Sequence, residues 1–233
     1  MTEPIFRSDM TVTLIQSMAS DSAVAMAARV STGGSASVDV SKDAGLINYL
    51  MRDRHGSPFE HNAFTFYIEA PILVFREFMR HRIASYNEES GRYKELAPVF
   101  YIPSINRKLK QVGKPGAYTF EPGDLNQHLQ VMKSTYKSCS LAYNHYLHLL
   151  NCGIAREVAR NVLPLNLYSS MYVTMNARSL MNFLSLRTER ENSVFPSFPQ
   201  REIEMVAEKM EAIFKEKMPL TYAAFEKNGR VAP

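Results

Sequence analysis

The chain has 233 residues, 45% hydrophobic and 21% charged, which is enough to bury a substantial core and ordinary for a globular protein. Its net charge of +4, from 27 basic and 23 acidic residues, favours anionic small ligands but falls short of a nucleic-acid-coating surface. No apolar run approaches the roughly 20 residues of a membrane span. Met1 to Thr11 is too polar for a secretory leader, so the expected location is the cytoplasm. In chain order, the alternation of Thr11 to Gln16 predicts a strand and Ala23 to Val30 a helix. Ser31 to Ser41, rich in Gly and Ser, is expected to be a mobile loop. It is no phosphate-binding P-loop, because no Gly-Lys-Ser/Thr follows. Ser41 should cap a helix running to Arg54, with Ile47, Leu50 and Met51 on one face and Gly56 as its stop. Ala63 to Glu69 alternates, with Phe64, Phe66 and Ile68 on one side, and predicts a half-buried strand. Pro71 then opens a helix over Ile72 to Arg82. Tyr86 to Tyr93 is polar and predicts a loop, and Pro98 to Pro122 an irregular excursion. Asp124 to Leu150 predicts a long helix, ending near Gly153. Ile154 to Leu163 predicts a second, closed by Pro164. Leu167 to Met175 follows as a strand and Ala177 to Thr188 as a helix. Phe195 to Pro199 breaks the pattern, and Gln200 to Lys217 is the last helix expected. No repeat or linker interrupts residues 1–233, so one mixed domain is expected.

Chemistry-bearing residues concentrate in two places. Arg80-His81-Arg82 ends the third predicted helix, and Gly91-Arg92 follows with Asn87, Glu88 and Ser90 between. Guanidinium forks, a hydroxyl and a glycine that permits close backbone approach are what a phosphate requires. A solvated charged turn is the alternative reading of the same residues. On the helix from Ala177, Leu180, Phe183, Leu184 and Arg187 fall at i, i+3, i+4 and i+7, so Arg187 lies on the apolar stripe. There it must reach solvent or meet an anion. Asn176, Arg178 and Asn182 add donors nearby. Arg156 and Arg160 share a helix face. For each single arginine an ordinary salt bridge is the competing explanation.

The six histidines lack zinc-site spacing, and no metal is expected. His145 and His148 read as surface or packing residues, and His61 as a structural hydrogen-bonder. His55, just past a helix end, could project into a cleft. Cys139 and Cys152 on one helix would stand roughly 20 Å apart, too far to bridge. Neither is placed to be a nucleophile, and no Gly-x-Ser-x-Gly motif is present. Many anion-binding groups without a covalent catalyst suit an enzyme whose cofactor carries the hard step.

The stretch from Arg80 to Tyr93, Arg-His-Arg followed after seven residues by Ser90, resembles the signature of the flavin-dependent thymidylate synthases. Four further blocks resemble that family in its order: Ala27 to Ser31, Ser57 to His61, Arg156 to Tyr168 and Asn176 to Leu180. The resemblance spans residues 10–227. It implies an α+β (mixed α/β) fold in a single domain, with a central antiparallel sheet flanked by long helices. It also implies conversion of dUMP to dTMP, with methylenetetrahydrofolate as carbon donor, NADPH as reductant and FAD passing a hydride to the ring. A homotetramer with shared active sites is implied, with no nucleic-acid or membrane partner.

Carried onto this chain, the resemblance assigns Ser57, Arg80, His81, Arg82, Glu88, Asn176, Ala177, Arg178 and Asn182 to FAD. It assigns Glu77, Phe78, Met79, Arg80, Glu88, Glu89, Ser90, Gly91, Arg92, Arg160 and Arg187 to dUMP. Ser90, Gly91 and Arg92 would meet the phosphate. Arg187 would sit against the pyrimidine as the catalytic residue, and His55 near the flavin and folate entrance. The chain departs from the family at Glu77, often glutamine there, and over Ser193 to Pro199, an insertion-like stretch without histidine. Two other readings fit the same residues: a nucleic-acid-binding module built on Arg80 to Lys94, and a flavoprotein that oxidises NADPH without methylating.

Overall fold

The computed structural model describes residues 3–33, 40–114 and 117–233. The chain begins with strands β1 (Ile5–Arg7) and β2 (Thr11–Ser17), then helices α1 (Asp21–Arg29) and α2 (Val40–Arg52). Strand β3 (Phe64–Pro71) leads into the short helix α3 (Ile72–Phe78). Strands β4 (Ser85–Glu88), β5 (Val99–Tyr101), β6 (Lys110–Lys114) and β7 (Ala117–Glu121) precede the long helix α4 (Leu125–Asn151). Then come α5 (Arg156–Ala159), β8 (Tyr168–Met175), α6 (Ala177–Arg187), α7 (Arg201–Lys217) and α8 (Pro219–Lys227). Single 3-10 turns cover Val30–Thr32, Ser57–Glu60 and Arg160–Val162. The mixed α and β class stands. Among the described residues no helix is long and apolar enough to cross a membrane.

The chain forms two compact units. One holds the segments up to Met10, Glu69–Arg76 and Glu88–Ser170; the other holds Thr11–Ile68, Glu77–Asn87 and Met171–Pro233. In the first unit, α4 packs Cys139, Tyr143 and Tyr146 against Leu96, Phe100, Ala159 and Leu167. Its start is fixed by a reciprocal capping box: Asp124 accepts from the Gln127 N–H, and the Gln127 side chain accepts from the Asp124 N–H. Here β1 pairs in parallel with β5, and β6 pairs antiparallel with β7.

The second unit carries a four-stranded sheet in the order β2-β3-β8-β4. Phe64, Phe66 and Ile68 are fully buried on one face of β3, each contributing about 1.5–3 kcal/mol. On the other face the Thr65 and Thr174 hydroxyls meet at 2.9 Å, and Tyr67 packs edge-on to Tyr172, the cross-strand pairing that stabilises sheets. Helix α8 starts at Pro219, and Asp21 caps it by accepting from the Leu220 and Thr221 N–H groups at 2.9 and 2.8 Å.

Several expectations are corrected. Tyr86 to Tyr93 is not all loop: β4 is an edge strand whose polar sequence gives no buried face to read. Within Pro98 to Pro122 lie β5 and the hairpin β6–β7. Every residue of β6 is exposed, so no alternation betrays it. The helix after Pro71 stops at Phe78 rather than Arg82. Ile154 to Leu163 is only one short turn of α-helix followed by a 3-10 turn. Gln200 to Lys217 is not the last helix, since α8 follows. Helix α2 begins at Val40, so Ser41 lies inside it, with a side chain outside the described residues. Most of the Ser31 to Ser41 loop also falls outside them. Arg54, at φ 64, makes the left-handed exit from α2, not Gly56. Gly56 serves another end: a Cβ there would stand 2.6 Å from the Arg178 side chain and 2.8 Å from the Pro233 carbonyl.

Candidate active site

The cationic cluster of the second unit is built on the end of α3 and on α6. Asn176 caps α6, its side chain accepting from the Ser179 N–H at 2.8 Å. The Ala177 N–H donates to the buried Asn62 side chain at 2.7 Å, and Asn62 in turn donates to the Phe59 carbonyl. Asn176 and Ala177, both expected at a flavin, therefore have structural tasks within the chain. Leu180, Phe183 and Leu184 are fully buried as their spacing required, which carries Arg187 to the half-buried end of the same stripe. Its Nη1 donates to Glu77 Oε2 at 2.6 Å, and its Nε donates to His81 Nε2 at 3.1 Å. An arginine on an apolar stripe has thus met an anion, the carboxylate of Glu77.

The second bond requires a neutral His81 with a free lone pair at Nε2. Burial, reinforced by the Arg187 charge, lowers the His81 pKa to about 4. The ring stands edge-on to Phe183, which also stacks on Phe78. The turn is held by Tyr86, whose hydroxyl lies 2.7 Å from the His81 carbonyl and 2.9 Å from that of Phe78. Burial pushes that phenol up to about 12, so it stays a donor. Glu77 is raised from its ordinary value by burial, with Arg187 opposing the rise.

Arg80, His81, Arg82, Arg178, Asn182 and Arg187 line a cavity of about 520 Å³ with Glu60, Ile83, Ser179, Leu186, Ala232 and Pro233. Arg178 Nη1 pairs with Glu60 at 2.5 Å, and its Nε donates to the Pro233 carbonyl. Four guanidinium groups, an amide and a hydroxyl face one carboxylate among these lining residues. That donor set suits a ligand bearing phosphates. Phe78 is buried in the core, whereas Met79 is exposed. Ser57 and His55 are exposed, and the His55 ring stacks on Tyr49 at 5.6 Å. His61 is exposed as well, and the structural hydrogen bonds beside it are those of Asn62.

In the first unit, Glu88 to Arg92 forms a second polar set. Burial raises the Glu88 pKa, opposed by a hydrogen bond with Ser169 and the charge of Arg160. Glu89 is engaged by Lys94 at 2.9 Å and by the Ser170 hydroxyl at 3.2 Å. The Ser90 hydroxyl accepts from the Arg92 N–H. Gly91 is buried, and a Cβ there would stand 2.8 Å from Leu96 Cδ1 and 3.3 Å from Arg160 Cδ, so the close approach demands glycine. Arg92 is exposed and pairs with Glu157 at 2.9 Å. The segment is anchored at Leu96, whose N–H donates to the Tyr146 hydroxyl and whose carbonyl accepts from Tyr143. Sequence reasoning missed Asn62, Tyr86, Tyr143, Tyr146 and Ser169. Their buried or half-buried polar groups are invisible until tertiary partners are known.

Among the described residues no three of His, Cys, Asp or Glu converge as metal ligands. Cys139 is buried, which raises its thiol pKa, and Cys152 is exposed; neither is bridged.

The family model for "Thymidylate synthase complementing protein" matches residues 13–220. The flavin-dependent thymidylate synthase of Tropheryma whipplei is 63% identical over 235 residues, covering 99% of this chain and 98% of that one. Its counterpart in Streptomyces avermitilis is 62% identical over 240 residues, covering 99% and 96%. The crystal structure of the UMP/dUMP methylase PolB from Streptomyces cacaoi with 5-Br UMP is similar at a TM-score of 0.94, with 52% identity and all of both chains covered. The same methylase with 5-Br dUMP gives 0.94 and 53%, covering 98% of this chain.

Proposed function

Because the chain belongs to the flavin-dependent thymidylate synthase family, we propose that FAD, NADPH and methylenetetrahydrofolate serve its conversion of dUMP to dTMP, with Arg187 at the pyrimidine. The enzyme is a flavin-dependent methyltransferase acting on dUMP. The observation that carries the residue assignment is the placement of Arg187: half-buried, on the wall of an arginine-rich cavity, with its plane fixed by Glu77 and His81.

When bound, the flavin would supply the hydride that passes to the uracil ring. The chain's own groups bind and polarise. Arg80, Arg82, Arg178 and Asn182 would hold the diphosphate and ribityl oxygens of FAD, with His81, Ser57, Asn176 and Ala177 shaping that region. Uracil's imide N–H is a weak acid. A guanidinium in a poorly hydrated place beside it favours the ionised ring, as an opposite charge lowers any acid's pKa. A lysine would lack the planar fork. Ser90, Gly91 and Arg92 would take the nucleotide's phosphate, with Arg160 and Glu88 beside it. Glu77 is engaged with Arg187 and offers the phosphate nothing. His55 would stand near the folate entrance, and a homotetramer would share its active sites among subunits.

The test is an anaerobic incubation of the purified protein with FAD, NADPH, methylenetetrahydrofolate and dUMP, with thymidylate read by mass spectrometry. Product that disappears when FAD, NADPH or folate is left out supports the assignment. Undiminished product without one of them removes that co-substrate from the proposal.

A further inference from the structure

The Arg187 guanidinium is not a bare cation. One nitrogen donates to Glu77 at 2.6 Å and another to neutral His81 at 3.1 Å. Both members of the ion pair are mostly shielded from water, with side-chain exposures of 17% and 23%, so solvent and salt screen the carboxylate's field weakly. The other charged groups that act on Glu77 are Arg80 and Glu202. The row Glu77, Arg187, His81 is therefore close to neutral overall, although it presents a guanidinium to the cavity.

We propose that Glu77 is a specificity-determining residue of this enzyme: its carboxylate, held on Arg187, sets how strongly the site prefers an ionised pyrimidine ring to a neutral one. This rests on the placement of Arg187 at the pyrimidine. With Glu77 charged, Arg187 gives the ring a directed hydrogen-bond donor but only a fraction of a full positive charge. Removing the carboxylate's charge would deepen the preference for the anion. The product retains the imide, so a guanidinium without its counter-ion would also hold product more firmly, raising the barrier to release rather than the chemical rate.

The experiment uses the FAD-loaded full chain and 5-bromo-dUMP labelled with nitrogen-15 at N3. Bromine makes the imide more acidic and brings its titration into a range the protein tolerates. The N3 chemical shift of the bound nucleotide is followed against pH in wild type, Glu77→Gln, Glu77→Asp and Arg187→Ala. Glu77→Gln is expected to lower the bound imide pKa by about one unit, roughly a tenfold rise in the ionised-to-neutral ratio at fixed pH. Glu77→Asp, which keeps the charge, should stay near the wild-type value, and a fall in it as large as that in Glu77→Gln would overturn the inference; if Glu77→Gln folds poorly, Glu77→Met takes its place with the same fall expected. A purely structural role for Glu77 would change occupancy and leave the imide pKa alone. If Arg187→Ala raises the imide pKa but Glu77→Gln leaves it unchanged, the inference is overturned while the reading of Arg187 stands. If Arg187→Ala leaves it unchanged, the placement of Arg187 at the pyrimidine fails, and this inference with it.

Discussion

Arg187 and Arg92 are both arginines paired with a glutamate, and they are physically different objects. Arg187 and Glu77 lie 2.6 Å apart with most of both side chains out of water. Arg92 and Glu157 lie 2.9 Å apart with exposures of 56% and 54%. The exposed pair is screened, pays side-chain entropy, and is worth about 0–1 kcal/mol. The shielded pair sits where charges act over distance and where an unpaired member is costly. The exposed arrangement of Arg92 suits a grip that forms and breaks with a soluble anion; the shielded arrangement of Arg187 suits a fixed field. Arginine count alone, 16 of the 27 basic residues, could not have told them apart.

Four measurements probe the difference between the two pairs. The largest effect is expected from Arg187→Ala, which should lower kcat/KM for dUMP by two orders of magnitude or more, on the scale of about 10²–10³ for losing a preorganised donor. Steady-state kinetics beside an unchanged circular-dichroism spectrum would check it, and retained turnover would remove Arg187 from the mechanism. Arg92→Ala should instead raise KM for dUMP about tenfold with kcat nearly preserved, the cost of one charge-assisted hydrogen bond. Equal losses in both parameters would place Arg92 with the fixed groups.

The third test is of His81. Its folded pKa, about 4, lies below the ordinary histidine value of 6.5, so the unfolded chain binds more protons between those two values. Stability contributed by the neutral ring is intact above pH 6.5 and is lost progressively as pH falls towards 4. Urea unfolding across that window should show the decline, with a shallower slope in His81→Gln. The smallest effect belongs to Glu157→Gln, expected to shift unfolding free energy by less than about 1 kcal/mol.

Periodic, buried parts of the fold were legible in the sequence. Phe64, Phe66 and Ile68 declared β3, and Leu180, Phe183 and Leu184 declared α6 and with it the position of Arg187. Elements with no buried face, β4 and β6, gave no such signal. Helix α8 was missed because its start depends on Pro219 and on Asp21, about 200 residues earlier in the chain. At the candidate site the arginines were legible as a cluster, whereas their partners were not. That Arg187 faces Glu77 and His81, across 110 and 106 positions of sequence, is a tertiary fact. Tyr86 illustrates the same limit: a polar residue in a polar stretch, it holds the Arg-His-Arg turn through two carbonyls.

The β6–β7 hairpin, with all five residues of β6 exposed, is held by its main-chain ladder and by edge pairs such as Lys110 with Glu121. A ladder is indifferent to most side chains, so selection has little to grip there. The exposed positions of β6 should therefore tolerate substitution more readily than the buried positions of β3. The hairpin is accordingly the place where a lineage could add length or a new surface without disturbing inherited chemistry.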